Sequence, residues 1–261
     1  MSRLHIIPDA NRIEQSLELA EEYDAVFEYN DFFMPDMLDD EIAVSRRIDL
    51  YRSLDRSRKE DTLHGVFLDI TPHSDDALIR AASDKRIRQS MDIARELGVK
   101  GVVFHTNTIP NFRVQPYMDN WLKRNAEYFT RICSEYPELH IYMENMFDID
   151  SSDMLGIGET MRDVDNFGLC LDYAHAHAFG EDPADWLKKL APYVRHMHIN
   201  DNDGVNDLHQ VIGQGSIDWE EYTDIMTGLG TDASILVEVT GVEKQRASLE
   251  YMKAHRVYPF I

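Results

Sequence analysis

The feature that most constrains this chain is an alternation of period: eight times, a short apolar run gives way to a longer segment whose apolar residues recur at helical spacing. The short runs cover residues 4–7, 25–28, 62–68, 100–104, 139–143, 167–171, 194–199 and 235–239. The amphipathic segments cover 12–23, 41–54, 76–97, 116–136, 154–162, 183–190, 218–229 and 243–255. Successive parallel strands need a long crossover, and a helix supplies it, so this order is the pattern of βαβ units. Eight such units of roughly 30 residues are what a closed parallel barrel requires. No Gly-x-Gly-x-x-Gly follows the first run, which argues against a dinucleotide-binding sheet. No linker-like stretch divides the chain. We therefore expect an α/β protein, a single (β/α)8 TIM barrel forming one domain over residues 1–261.

Composition narrows the partners. With 26 Lys and Arg against 48 Asp and Glu, the net charge is −22, and such a surface repels nucleic-acid backbones and anionic membranes. The basic residues Arg46, Arg47, Arg52, Arg56, Arg58 and Lys59 are interleaved with acidic ones and read as a solvated helix face. The two cysteines, Cys133 in a predicted helix and Cys170 in a predicted strand, form neither a disulfide framework nor a Cys-x-x-Cys site, so metal ligands would be nitrogen and oxygen donors. Residues 1–8 lack a basic segment followed by an apolar stretch, and no window reaches membrane-span length. The expectation is a soluble, cytoplasmic protein; the sequence says nothing of its oligomeric state.

With the strands placed, polar residues fall into register. His105, Glu144, Asp172, His198 and Glu238 stand at or near the C-terminal ends of the fourth to eighth runs, and His64 lies on the third. In a parallel barrel those ends meet at one mouth, where the βα loops build active sites. His175 follows Asp172 by three residues, and Asp207 and His209 occupy the loop after the seventh run, ahead of Gly213-Gln214-Gly215. Taken singly, each of these is an ordinary structural residue: a core histidine, a paired glutamate, or in Asp172 the cap of the next turn. Taken together, carboxylates aimed into one mouth repel each other unless a cation neutralises them, which points to a divalent metal site.

Several stretches resemble the xylose-isomerase-like TIM barrels, a superfamily of sugar and sugar-phosphate isomerases and epimerases, inosose-type dehydratases and apurinic endonucleases. They are Leu63-His64-Gly65-Val66-Phe67, Val103-Phe104-His105, Tyr142-Met143-Glu144-Asn145, Leu171-Asp172-Tyr173-Ala174-His175, His196-Met197-His198-Ile199-Asn200-Asp201 with Asp207-Leu208-His209, and Leu236-Val237-Glu238. The resemblance implies a metal held by Glu144, Asp172, His198 and Glu238, with Glu144 and Glu238 also moving a proton between adjacent sugar carbons and His175 touching substrate. From the endonuclease branch it implies two further metals, one on His64, His105 and Glu144 and one on His175, Asp207 and His209.

The acidic charge and the short first βα loop, Asp9-Ala10-Asn11, favour a small sugar or sugar phosphate over nucleic acid. Asn107, Asn111, Arg113, Asn145 and Asn200 lie on mouth-side loops, and Asn107 and Arg113 are the expected hydroxyl-binding residues. The expected activity is thus isomerisation or epimerisation beside a metal-bound carbonyl, with one to three Mn, Mg, Co or Zn ions per chain. The alternatives are a multinuclear phosphoesterase resembling the apurinic endonucleases and a barrel that binds sugar or metal without turnover.

Overall fold

In the computed structural model, which describes residues 3–261, every strand pairs in parallel with its sequence neighbour and the last returns to the first. The strands are β1 (Leu4–Ile6), β2 (Val26–Tyr29), β3 (Thr62–His64), β4 (Gly101–His105), β5 (His140–Glu144), β6 (Phe167–Asp172), β7 (Val194–Ile199) and β8 (Ser234–Val237). Leu4 pairs with Ile235 and Ile6 with Val237, closing the (β/α)8 barrel. The helices are α1 (Ile13–Glu22), α2 (Pro35–Leu38), α3 (Glu41–Arg52), α4 (Ala77–Leu97), α5 (Gln115–Glu135), α6 (Ser152–Thr160), α7 (Tyr173–Phe179), α8 (Pro183–Leu190), α9 (Trp219–Leu229) and α10 (Val242–His255). Met1 and Ser2, the start of the stretch read for a leader, lie outside the described residues. Among the described residues no helix is long and apolar enough to cross a membrane.

Local chemistry sets the helix starts. Asp40, Asp76, Asp182 and Asp218 each accept a hydrogen bond from a first-turn backbone N–H of α3, α4, α8 and α9. Each such cap contributes about 1 kcal/mol and also places negative charge at the positive end of the helix dipole. Ser151, which precedes α6, makes no such bond.

Three departures from the sequence reading have local causes. The third run ends as a strand at His64 rather than at residue 68. At Gly65 a Cβ would lie 2.5 Å from the Phe104 ring, so the backbone passes close to β4 there and leaves the barrel, carrying Leu68 out to 55% exposure. The loop after β2 contains α2, started by Pro35 at its first position. Between β6 and α8 lies α7, seven residues long, capped by Asp172, whose Oδ1 accepts from His175 N at 2.7 Å.

The main apolar core lies between the outer faces of the strands and the helices, with Trp121, Trp186, Phe129, Ile132 and Tyr222 buried in it. Side chains alternate along each strand, so the barrel interior takes the other half of the strand residues. There Val103, Tyr142 and Cys170 form a small apolar cluster of their own. Around it the interior is polar: His5, Glu28, Thr62, His196 and Ser234 are all buried. At the opposite end from the mouth, Asp61 accepts from Phe27 N, Tyr29 Oη and both Arg56 guanidinium nitrogens, joining β2 to the segment ahead of β3.

Candidate metal centre

Parallel register delivers the predicted donors to one level. His105 pairs with Glu144 across β4 and β5, and Asp172 with His198 across β6 and β7. Glu238 follows β8 directly, its N–H bonded to Ile199 O at 2.9 Å. Glu144, Asp172, His198 and Glu238 each bring one donor atom within 4.8 Å of the others. Among the described residues three further groups meet the same limit: His64 with His105 and Glu144, His175 with Asp207 and His209, and Cys170 with His196 and His198. Glu144 belongs to both of the first two groups and is fully buried.

The distances show a packed polar cluster. Glu144 Oε2 lies 2.8 Å from His105 Nε2, and its Oε1 lies 3.0 Å from His198 Nδ1. His198 Nδ1 is 3.5 Å from Glu238 Oε2, and His175 Nδ1 is 3.5 Å from Asp172 Oδ2. Asp207 connects His175 Nε2 at 3.4 Å with His209 Nε2 at 3.0 Å. Several of these atoms are close without being aligned as hydrogen bonds: both Glu144 oxygens, Asp172 Oδ2, His105 Nε2, His198 Nδ1 and Glu238 Oε2 are buried with no hydrogen-bond partner. Converging, buried and unpaired N and O donors fit a divalent cation.

Ring orientation adds to this fit. His64, His175 and His209 each place Nδ1 2.9 Å from a backbone carbonyl, those of Gly65, Asn145 and Glu238. A carbonyl oxygen only accepts, so Nδ1 carries a proton and Nε2 is the nitrogen left for a cation, the orientation that metal-ligating histidines adopt; without the cation, Nε2 of His175 and of His209 faces Asp207 and is protonated as well. His209 does so from a backbone φ of 44°, left-handed for a residue other than glycine.

Without a cation the groups neutralise one another. Burial pushes the Glu144 carboxyl up, but the His105 and His198 imidazoles outweigh it and hold the group well below the usual range. Burial disfavours a charged His198, yet Cys170, Glu144, Glu28 and Glu238 around it raise the ring well above its ordinary value. His209, between Glu238 and Asp207, is raised to about 10 despite burial, and Glu238 is lowered to about 2, also against burial, by His198 and His209. Asp172 goes the other way. Burial raises it to about 7, His175 opposes, and Glu238 and Glu144 add repulsion.

Above the cluster opens a cavity of about 800 Å³, lined by His64, His105, His175, Asp207, His209 and Glu238 at its floor and by Phe33, Phe67, Met146 and Phe147 on its walls. Asn11, Asn30, Asp31, Arg47 and Thr240 also line it. Two expected hydroxyl-binding residues lie elsewhere. The Arg113 guanidinium is taken by Asp150, Asp153 and Ser152, and the Asn107 side chain turns back to His105 O at 3.3 Å from a backbone φ of 47°. Asn145 clamps the ends of β5 and β6, donating to Asp172 O and accepting from Asp172 N, both at 2.9 Å. At Gly215 a Cβ would come within 2.3 Å of Asn202 O and Asp201 Oδ1, so this glycine of the Gly-x-Gly pair serves close packing.

Two residues escaped the sequence reading. Arg47, taken for part of a solvated face, lines the cavity and pairs with Asp31. Glu28, fully buried on β2, touches His196 and His198; its only signal was a carboxylate inside the apolar run Val26-Phe27-Glu28-Tyr29.

Residues 17–255 match the family described as the xylose isomerase-like TIM barrel. An uncharacterized protein of Methanocaldococcus jannaschii is 30% identical over 214 residues, 77% of this chain and 71% of that one. Among solved structures, a D-tagatose 3-epimerase-like protein is similar with a TM-score of 0.75 at 24% identity, over 97% of each chain. A Thermus thermophilus protein soaked with ZnCl2 also gives a TM-score of 0.75, at 25% identity and over 97% of each chain.

Proposed function

This chain belongs to the xylose isomerase-like TIM barrel family, and from that footing we propose that it is a divalent-metal-dependent isomerase or epimerase acting on a small sugar or sugar phosphate. The reading rests on the convergence of Glu144, Asp172, His198 and Glu238 from four strands, within 4.8 Å, beneath a cavity of about 800 Å³. Those four residues would hold the cation. The likeness to a D-tagatose 3-epimerase-like protein supports the sugar, and the likeness to a protein soaked with ZnCl2 supports the metal.

Bound there, a divalent cation supplies Lewis acidity toward a carbonyl or hydroxyl oxygen, lowering the cost of the negative charge that builds when the neighbouring carbon loses its proton. The protein's own residues do the rest. Glu144 and Glu238 follow from strands three apart around the ring, so their carboxylates reach the mouth from different sides. Glu238 faces the cavity, its low pKa keeps it ionised, and it takes a proton from a carbon above the cluster. Glu144, on the other side, is ionised as well, so it would first take up a proton from solvent and then return that proton to the carbon. His175 and Asp207 on the cavity floor bind hydroxyl groups, and Phe33, Phe67 and Phe147 keep bulk water from the reacting carbon.

A second reading is favoured by one observation: the His64–His105–Glu144 and His175–Asp207–His209 groups are also complete, and Glu144 is common to the first of these and the four-residue group. That arrangement suits a multinuclear phosphoesterase. Against it, Arg47 is the one Lys or Arg among the cavity-lining residues, and the chain carries a net charge of −22.

The two readings separate in one set of measurements. Metal-loaded protein incubated in D2O with pentuloses, ketohexoses and their phosphates should introduce deuterium at the carbon beside the carbonyl of at least one of them. Absence of exchange across that panel, together with nicking of abasic-site DNA at moderate salt, would replace the isomerase by the phosphoesterase. Metal content of His64→Ala should equal that of the wild type for an isomerase that uses one cation and fall by one ion per chain for a multinuclear enzyme.

A further inference from the structure

The histidines of the centre are oriented in two ways. His64, His175 and His209 are held by backbone carbonyls in loops. His198 sits inside the barrel on β7, where strand carbonyls are engaged in ladder bonds to the neighbouring strands, so its ring needs a side chain as partner. That side chain comes from the opposite region of the wall. Glu28 Oε1 lies 3.1 Å from His198 Nε2, an ion-pair contact not aligned as a hydrogen bond, and Glu28 Oε2 is hydrogen-bonded to His196 Nε2 at 3.0 Å.

The rest of the surroundings hold Glu28 still. Thr62 Oγ1 donates to Glu28 Oε2 at 2.6 Å and lies 3.1 Å from His5 Nδ1, while His196 Nδ1 lies 2.7 Å from Ser234 Oγ. All of these residues are buried, and Glu28, Thr62, His196 and His198 have no exposed surface. A carboxylate only accepts, so the nitrogens facing it carry protons. With Nε2 facing Glu28, His198 directs Nδ1 toward Glu144 and Glu238, at 3.0 and 3.5 Å, and Nδ1 is the nitrogen that would give up its proton when a cation binds. Burying a carboxylate merely to fill space is unfavourable by several kcal/mol compared with an apolar side chain of the same size.

We propose that Glu28 is the positioning residue of the metal centre, fixing the tautomer and angle of His198 and, through its negative charge, strengthening Nδ1 as a ligand. The inference rests on the metal reading above and adds a residue that neither lines the cavity nor belongs to a donor group, but touches one of the donors, His198.

The test is the affinity of metal-stripped protein for Zn²⁺, measured by competition with a chromophoric chelator, in the wild type and in Glu28→Gln. The variant should bind about 10–100-fold more weakly, the usual cost of losing a carboxylate partner of a ligating histidine. Losing the charge that faces His198 should lower the melting temperature of the metal-stripped variant, so affinities are compared at a temperature where both proteins are folded, and the second readout is one that a merely structural role would not move. In metal-loaded, 15N-histidine-labelled protein the Nε2–H resonance of His198 should move upfield in the variant. Should Glu28→Gln precipitate, Glu28→Met keeps the volume without any hydrogen-bonding group and gives the same comparison. Equal Zn²⁺ affinity in wild type and variant overturns the role of Glu28 alone. A wild type that takes up no Zn²⁺ overturns the metal reading, and this inference with it.

Discussion

Asp172→Asn tests the electrostatic account of the site most directly, because it predicts effects of opposite sign on stability and on metal binding. Asp172 is fully buried, and burial together with Glu238 and Glu144 raises its carboxyl from 3.8 to about 7. The folded, metal-free protein therefore holds this proton between pH 4 and 7 while the unfolded chain gives it up. Stability contributed by the neutral form is full below pH 4 and is lost as pH rises through 7. At pH 8 the ionised group costs up to about 4 kcal/mol relative to its neutral form, since each unit of difference is worth about 1.4 kcal/mol. Asparagine has the shape of the neutral acid, and its Oδ1 can still accept from His175 N to cap α7. Metal-stripped Asp172→Asn should thus be more stable than metal-stripped wild type at pH 8 by about 1–4 kcal/mol, and the two should converge toward pH 4. Added Zn²⁺ or Mn²⁺ should stabilise the wild type by far more than the variant, which has lost one of four ligands. Urea titrations with and without chelator at the two pH values measure all of this. A metal-stripped variant less stable than the wild type at pH 8 would refute the claim that an uncompensated carboxylate is waiting for a cation.

Other expectations are as definite. Glu144→Gln and Glu238→Gln should each abolish isomerase turnover while the barrel's circular dichroism stays that of the wild type; full activity in either removes that residue as acid or base. Asp61→Ala leaves the Arg56 guanidinium, Tyr29 Oη and Phe27 N without their acceptor and should cost about 3–5 kcal/mol in a urea titration. His73 is buried against Trp121 and Tyr117, and burial lowers it from 6.5 to about 4, with a hydrogen bond to Asn125 opposing. The unfolded chain takes up that proton first, so stability present above pH 6.5 is lost as pH falls toward 4, by up to about 3 kcal/mol, and His73→Phe should flatten this part of the stability–pH profile.

The barrel was legible because its signal is repeated: eight switches of period tolerate an error of a few residues at any one of them. Strand ends were legible for the same reason, and His105, Glu144 and Asp172 do end their strands, with His198 one residue short of the end of β7. What periodicity could not show was the path of the loops and the interior of the barrel. Arg113 read as a mouth residue because its loop lies there, yet three local partners capture its guanidinium before it reaches the cavity. Arg47 read as solvated because its neighbours are charged, although a single helix places Arg46 and Arg47 on different faces. Asp172 carried two readings, cap and ligand, and the structure keeps both open: one oxygen caps α7 while the other is left unpaired within the cluster. Glu28 shows the deeper limit. Its partners His196 and His198 come from the far side of the chain, and nothing local to β2 announces them.

The bond between Glu28 and His196 spans 168 residues. During synthesis the carboxylate of β2 is made long before the imidazoles of β7 that will neutralise it, and of its hydrogen-bonded partners Thr62 on β3 is the one that follows it closely. An early sheet of β1 to β4 would have to bury that charge unpaired, which favours leaving the growing half-barrel open and hydrated along its inner face. Closure of the ring and charge neutrality of its interior then arrive in one step, with the strands that carry His198 and Glu238, so the last third of the chain to be made decides when the first can be dry.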